Sequence, residues 1–555
     1  MVDTVPTLPR LFARTVRAHP DHDCVVLPGV RASYREVDEA AVDVARSLVA
    51  LGVRPGDAVG VLMPNCLDFV HVMLGISMTG ALFVPVNARL APREIAHVVV
   101  DSAMRVLVTT DVVDEHVDYV ARLHQALPEL TAGERGRTPD LAAAPGLRHV
   151  VVMGERSASG LVDRRGFLAA GREIDPDHVR ETARAVTADV GYIMMYTSGT
   201  TAEPRGCPLS HESVIRLGRA LGTEAFGLTA DDRMWNPLPM FHVSAQAPMI
   251  AVFDAGAAWI SMTHFEPDLA LDLVERERAT LLYPAYPTLT APLLGHPSYG
   301  PDTFRRVRAM LTVGPPELLR SYQEQLPHTV HVSCYGSTET GGVAIMGRLD
   351  DPLEERLTSG KPFAGVEAQV RDVVTDEAAP AGETGVLYIR GFNLFSGYRN
   401  DPRKTAASFD RDGWFGTGDL ASIDTAGNLT FRGRTKDMLK VGGENVGALE
   451  VESYLTTHPD IQLAGVVGIP DARYGEVPAA FVELRPGASL TAEDVLDFCR
   501  RGLARYKVPR HVRFVTEWPM SATKIQKFRL RDQLLAELGP TGDGGPTRRS
   551  APSPA

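Results

Sequence analysis

The run Tyr196-Thr197-Ser198-Gly199-Thr200-Thr201-Ala202-Glu203-Pro204-Arg205-Gly206 packs hydroxyls, glycines and one fixed positive charge into a single short stretch. Glycine lets the backbone approach a ligand closely, and successive N–H groups can cradle an anion. The hydroxyls add donors and Arg205 adds charge, which is chemistry for holding a polyphosphate; a surface turn can share the same composition. The Gly-Lys-Ser/Thr ending of a Walker loop is absent. Further on, Tyr335-Gly336-Ser337-Thr338-Glu339-Thr340 offers one carboxylate. One carboxylate is what Mg²⁺ riding on substrate phosphates needs from a protein, although a lone glutamate after a strand also suits a solvated helix start. Asp419, in Gly413-Trp414-Phe415-Gly416-Thr417-Gly418-Asp419-Leu420, reads as part of a Gly-rich turn. There its carboxylate can serve the turn, or accept both hydroxyls of a ribose.

These residues need rigid elements behind them. Gly191 to Met195 is a short apolar run that reads as a buried strand ending at the hydroxyl-rich loop. Val37, Ala41, Val44, Leu48 and Leu51 fall on one helical face, with Gly52 as its cap. Asp57 to Met63, Phe83 to Val86 and Val106 to Thr109 read as strands separated by helices from about Leu67 and Pro92. Strands alternating with helices predict a parallel sheet covered on both faces. Residues from about Ala132 to Gly146 read as a surface excursion. Past Val330 the texture changes to short strand-like runs, Glu367 to Val373, Val386 to Arg390 and Asn428 to Arg432, which predicts a small antiparallel unit. Beyond Arg434 a compact segment begins, with a helix at Leu449 to Leu455 and strands at Leu463 to Ile469, Ala479 to Leu484 and His511 to Val515. Thr491 and Asp494 form a capping box for a helix carrying Val495, Phe498 and Leu503. Gly539 to Ala555 lacks apolar periodicity and reads as disordered.

At 555 residues the chain is too long for one core. Hydrophobic residues at 44% and charged residues at 23% suit a globular protein. The net charge of −12 argues against a nucleic-acid surface. The five cysteines form no CxxC pair, which points away from a zinc site or disulfide framework and towards a reducing cytoplasm. The apolar run Val72 to Val86 is too short and too interrupted to span a bilayer.

Taken together and in order, the motifs resemble the adenylate-forming superfamily: acyl-CoA synthetases, stand-alone adenylation domains and luciferases. The likeness runs from about residue 30 to about residue 530. The hydroxyl-rich run resembles the family's Thr-Ser-Gly-Thr-Thr-Gly-x-Pro-Lys-Gly loop, which implies that Thr197, Ser198, Gly199, Thr200, Thr201 and Arg205 grip the β- and γ-phosphates of ATP. Ala202 stands where glycine is usual and Arg205 where lysine is usual. Tyr335-Gly336-Ser337-Thr338-Glu339 is similar to Tyr-Gly-x-Thr-Glu, implying Glu339 as the Mg²⁺ contact and Thr338 as a phosphate donor. Gly314 and Pro315 resemble the loop against adenine, and Asp419 with Arg434 the pair that joins the ribose. Lys436 matches the hinge, Gly442 and Gly443 the loop facing the pantetheine tunnel, and Lys524 the lysine that enters the active site, with Thr523 in place of the usual glycine. Pro237 to His242 resembles the border of the acyl pocket, which implies His242 as a wall or gate rather than a general base. Tyr283, Tyr286 and Pro287 are further lining candidates. Read alone, His242 suits a packed or capping residue, Lys436 a solvated linker lysine, and Lys524 with Lys527 surface charge.

The resemblance implies an α/β fold. Residues 1–435 would hold two parallel-sheet subdomains and a small β-barrel-like unit. Residues 436–537 would form a small α+β domain on a hinge, followed by a disordered tail at 538–555. It implies that a carboxylic acid attacks ATP to give acyl-AMP and pyrophosphate. The small domain then rotates about Lys436, and coenzyme A takes the acyl group. ATP, Mg²⁺ and coenzyme A are the expected cofactors, with a monomer or homodimer and no membrane span. Two other readings remain open: transfer to an amine or carrier protein, and a nucleotide-binding member without catalysis. The resemblance leaves the acid itself unassigned.

Overall fold

The computed structural model describes residues 6–113, 115–197, 204–300, 302–441, 444–471, 474–521 and 524–538, with the backbone alone at Lys436, Asn445, Ser521 and Lys524. The predicted disordered tail, from 539 onward, lies outside these residues. The chain divides into two compact units. Among the described residues, the first holds those up to 383 and those of 387–417 and 423–430; the second holds those of 384–386 and 418–422 and those from Phe431 on.

Two seven-stranded sheets build the first unit. One has the order Val162–Asp163, His149–Val152, Val106–Thr109, Ala58–Leu62, Leu82–Pro85, Gly191–Thr197, Arg205–Ser210. Every pair in it is parallel except the last. The other runs Val330–Val332, Ala309–Thr312, Leu281–Ala285, Arg233–Trp235, Ala258–Ile260, Asp23–Leu27, Val30–Ser33, again with a single antiparallel pair at one edge. The central strands read as unbroken apolar runs because both of their faces are covered. Ala58–Leu62 and Leu281–Ala285 are buried along their whole length. The helices Leu67–Met78 and Val243–Ala255 are buried almost all round, so their sequences lack a polar face.

Local signals explain most helix boundaries. Ser33 and Glu36 close a capping box at the start of Tyr34–Ala50. That helix ends at Leu51, and Gly52 takes the left-handed position after the cap (φ +81°) rather than being the cap itself. The segment 132–146 has little regular structure, as expected, but it is not simply a surface excursion. Leu141 and Ala144 are buried, and a side chain at Gly133 would press on the backbone of Gly160. Its glycines mark close packing as well as turns.

Beyond Val332 come two small sheets. Cys334–Tyr335, Ile345–Met346 and Lys361–Pro362 form three antiparallel strands. Val366–Arg371, Gly385–Gly391, Phe415–Ile423 and Leu429–Arg434 form four. Phe415–Ile423 corrects the sequence reading, which had a Gly-rich turn there. Its Gly-x-Gly spacing hides a strand whose inner residues, Leu420 and Ala421, are buried.

The second unit has its own core. Ile461–Asp471 and Gly475–Leu484 make a long antiparallel ribbon, extended by Met438–Val441, Glu444–Gly447 and His511–Phe514. Helices Ala448–Thr456 and Ala492–Gly502 contribute Val451, Leu455, Val495 and Cys499 to its cluster. Thr491 and Asp494 form the predicted capping box, while Leu503 lies just past the helix as its cap. Burial pushes the Cys499 thiol up to about 11. No helix among the described residues is long and apolar enough to cross a membrane.

Candidate active site

The loops that matter leave the carboxyl ends of parallel strands, where open α/β sheets place their ligands. Gly191–Thr197 and Arg205–Ser210 form an antiparallel hairpin, with Thr197 opposite Arg205 and Tyr196 opposite Gly206. Ser198, Gly199, Thr200 and Thr201, within the connection, lie outside the described residues. The ends of that connection are tied down. The Tyr196 hydroxyl donates to Asp101 Oδ2 at 2.7 Å, and His97 Nε2–H donates to the Pro204 carbonyl at 2.9 Å, both acceptor and donor arising from the helix Pro92–Ser102. Burial and Asp101 together raise the Tyr196 hydroxyl well above its ordinary range, so it stays a donor. Arg205 Nε lies 3.3 Å from Asp401 Oδ2. Gly206 is closely packed, since a Cβ there would stand 2.9 Å from Arg399 Cβ and 3.1 Å from Met194 Sδ and would force a neighbour to shift.

Glu339 sits in a second hairpin, after Val330–Val332, where Tyr335 pairs with Ile345 across a tight loop. Gly336 is crowded, because a Cβ would fall 1.5 Å from the Gly342 carbonyl oxygen. Inside the loop the Ser337 N–H donates to Thr340 Oγ1 (2.8 Å), and the N–H groups of Gly342 and Gly341 donate to the Ser337 and Thr338 carbonyls (3.0 and 3.1 Å). The segment is therefore a series of turns and not the start of a helix. Tyr335 is buried and Gly336 exposed, while Thr338 and Glu339 are half-buried. The Tyr398 hydroxyl donates to Glu339 Oε1 at 3.0 Å, and the Phe395 N–H donates to the Glu339 carbonyl at 2.9 Å. Behind them the Cys207 thiol is fully buried, and burial followed by the Glu339 charge pushes it far above the usual thiol range.

Gly314 is exposed just past Ala309–Thr312, and Pro315 caps the helix Pro316–Glu324. The Val313 N–H donates to the Ala285 carbonyl at 2.8 Å. Ala285 itself holds φ +59°, unusual for a residue with a side chain and a sign of a tightly determined turn before Tyr286. Tyr283 is buried against Phe226, with ring centroids 6.3 Å apart, while Tyr286 and Pro287 begin the helix Pro287–Leu294. His242 is the residue before Val243–Ala255 and packs its ring on Phe241, centroids 4.9 Å apart. Its loop is braced by Asn65, whose amide donates to the Leu238 carbonyl (2.9 Å) and accepts from the Met240 N–H (2.7 Å).

In the second unit Arg434 Nε approaches Asp419 Oδ1 at 3.3 Å, so the two residues that the resemblance pairs stand side by side. Asp419 is nearly buried within its strand, after Gly418 at φ +71°, and Thr435 Oγ1 donates to the Gly418 carbonyl at 2.9 Å. Lys436 lies in the short turn Thr435–Asp437 between two strands. Gly442 and Gly443 lie outside the described residues. Lys524 begins the strand Lys524–Ile525, paired with Met520–Ser521.

The donor set fits Mg²⁺ brought in by a nucleotide. Among the described residues no cluster of three His, Cys, Asp or Glu could hold a metal outright. Glu339, with one oxygen held by Tyr398, is the single carboxylate in the loop between Tyr335 and Ile345, and one carboxylate is what a phosphate-borne ion needs. Sequence reasoning missed Tyr398, Asp401, Asp101 and His97. None stands near its partner in the chain, and the sole local signal was Gly397-Tyr398 just ahead of the Asp401 cap on Pro402–Ser408.

Doubly wound sheets with hydroxyl- and glycine-rich loops at their strand ends define a nucleotide-handling α/β enzyme. Residues 12–399 match the profile of the AMP-binding enzyme family, and residues 450–524 match the AMP-binding enzyme C-terminal domain. The chain is 34% identical over 541 residues to a 3-[(3aS,4S,7aS)-7a-methyl-1,5-dioxo-octahydro-1H-inden-4-yl]propanoyl:CoA ligase of Mycobacterium tuberculosis, covering 96% of this chain and 100% of that one. It is 31% identical over 542 residues to the mitochondrial medium-chain acyl-CoA ligase ACSF2 of Mus musculus, covering 94% and 87%. Its fold superposes on the anthranilate CoA ligase AuaEII in complex with anthranoyl-AMP with a TM-score of 0.82 at 26% identity, covering 96% and 98%. ATP-bound MatB from Rhodopseudomonas palustris gives 0.77 at 27%, covering 95% and 98%. The chain belongs to the AMP-binding enzymes, within the adenylate-forming acyl-CoA synthetases.

Proposed function

We propose that this protein activates a carboxylic acid with MgATP to an acyl-AMP and passes the acyl group to coenzyme A, releasing pyrophosphate and then AMP. The observation that carries the reading is the pair of strand-end hairpins in the first unit. One presents Thr197 and Arg205, and the other presents Glu339 with a hydroxyl proton on one oxygen. Two anions react in the first step, so catalysis consists largely of orienting them and of placing cations where charge develops. Thr197, Ser198, Thr200, Thr201, Arg205 and Thr338 hold phosphate oxygens, and Glu339 meets the ion they carry. Gly314, Pro315, Tyr335 and Gly336 border the base, and Asp419 with Arg434 takes the ribose. His242 walls the acid. Lys524 supplies charge to the first half-reaction only, and Lys436 is the pivot between the halves, with Gly442 and Gly443 facing coenzyme A. The acid needs no protein base, because it is already ionised at neutral pH.

We further place the protein in the cytoplasm, a reading supported by five cysteines that form no disulfide, and take it to be a monomer or homodimer. The test is acid-dependent exchange of labelled pyrophosphate into ATP. The panel comprises medium-chain fatty acids, anthranilate and a bicyclic propanoate, followed by AMP release with coenzyme A. Exchange without coenzyme A consumption would favour an amine or carrier acceptor, and no exchange with any acid would overturn the reading.

A further inference from the structure

The segment Phe395 to Asp401 touches both charged groups of the first unit's site. It is fastened to both hairpins by its backbone. The N–H groups of Phe395, Ser396 and Arg399 donate to the carbonyls of Glu339 (2.9 Å), Pro208 (3.3 Å) and Gly206 (2.8 Å). Gly397 takes φ +126°, and a Cβ there would meet Thr405 Cγ2 at 2.6 Å. Thr405 Oγ1 accepts from the Tyr398 N–H and donates to the Asp401 carbonyl, both at 2.9 Å. The Tyr398 ring is fixed against Phe395, centroids 4.8 Å apart. The hydroxyl that reaches Glu339 Oε1 is thus set by backbone and ring contacts that do not involve the Glu339 side chain.

We propose that Tyr398 is a positioning residue: it turns the Glu339 carboxylate so that its remaining lone pairs face the divalent ion of MgATP. An ionised carboxylate has about four acceptor positions, of which Tyr398 takes one. Carboxylates that meet metals are commonly oriented by such a second contact, whose loss lowers metal affinity about 10- to 100-fold. The inference rests on the assignment of Glu339 to the ion.

The test is equilibrium binding of ATP to the full-length protein, followed by calorimetry with and without Mg²⁺. Tyr398→Phe keeps the ring and removes only the hydroxyl. It is expected to leave metal-free ATP binding unchanged and to raise the Mg²⁺ concentration that half-saturates the tightening about tenfold. Should the tyrosine variant fold poorly, Glu339→Asp, which withdraws the carboxylate by one methylene from the Tyr398 hydroxyl, is expected to raise the same Mg²⁺ concentration, and adding Tyr398→Phe to it should raise that concentration little further. Equal weakening of ATP with and without Mg²⁺ in Tyr398→Phe would show a structural role only and overturn the proposal. An unchanged Mg²⁺ response in Tyr398→Phe would overturn it whatever Glu339→Asp does, and would leave the assignment of Glu339 to Glu339→Gln. If Glu339→Gln also keeps the full Mg²⁺ response, the assignment falls with it.

Discussion

On the proposed assignment, Lys524 divides the two half-reactions. With Lys524→Ala, acid-dependent pyrophosphate exchange should fall about a hundredfold or more, the cost of removing a group that meets developing charge. Thioester formation from supplied acyl-AMP should stay near the parent rate. Equal loss in both assays counts against the assignment. Gly336 makes a different demand. Gly336→Ala puts a methyl 1.5 Å from the Gly342 oxygen, so the loop has to move. The expected cost is about 1–3 kcal/mol of stability, read as a lower thermal midpoint, together with weaker ATP binding. Which residues carry charge or hydroxyls was readable from type and motif, as with Arg205, Glu339 and Asp419. Which partner each would face was not. Asp401 faces Arg205 and Tyr398 faces Glu339 across long stretches of chain, and only the closed fold brings them together.

Elements were legible where period and caps agreed. Tyr34–Ala50 announces itself by its apolar spacing and its Ser33–Glu36 box. Phe415–Ile423 did not, because turn-forming glycines outvoted its short apolar stretch. Packing between elements also sets a pH dependence that no motif shows. The Leu8 N–H, at the start of the first helix, donates to Nδ1 of His211, which begins the helix His211–Ala220 and lies against Tyr192. Burial pushes the His211 imidazole down to about 3. A group whose folded value is depressed binds fewer protons than the unfolded chain below its ordinary value near 6.5, so its stabilising contribution is complete above that pH and is lost as pH falls towards 3. At pH 5 the loss is about 2 kcal/mol. His211→Asn keeps an acceptor that does not titrate. Its thermal midpoint should therefore drop less than the parent's between pH 7.5 and pH 5, and an identical drop refutes the role of His211.

At the scale of the whole chain, the second unit takes in 384–386 and 418–422 as well as the described residues from Phe431 on. The resemblance placed the domain boundary at 435/436 by motif, where a linear reading has to make a single cut. Lys436→Pro, which fixes φ in the turn Thr435–Asp437, should slow thioester formation several-fold more than adenylation in single-turnover assays. Equal slowing of both steps removes Lys436 as the pivot. Cys207 and Cys499 supply a clock for each unit. Both thiols are buried, and burial keeps them protonated. An alkylating reagent can reach them only when the surrounding strand or helix opens. Cys207 lies on the strand that carries Arg205, so its labelling rate should slow when MgATP is added, while the rate at Cys499 reports independently on the ribbon and helices of the second unit.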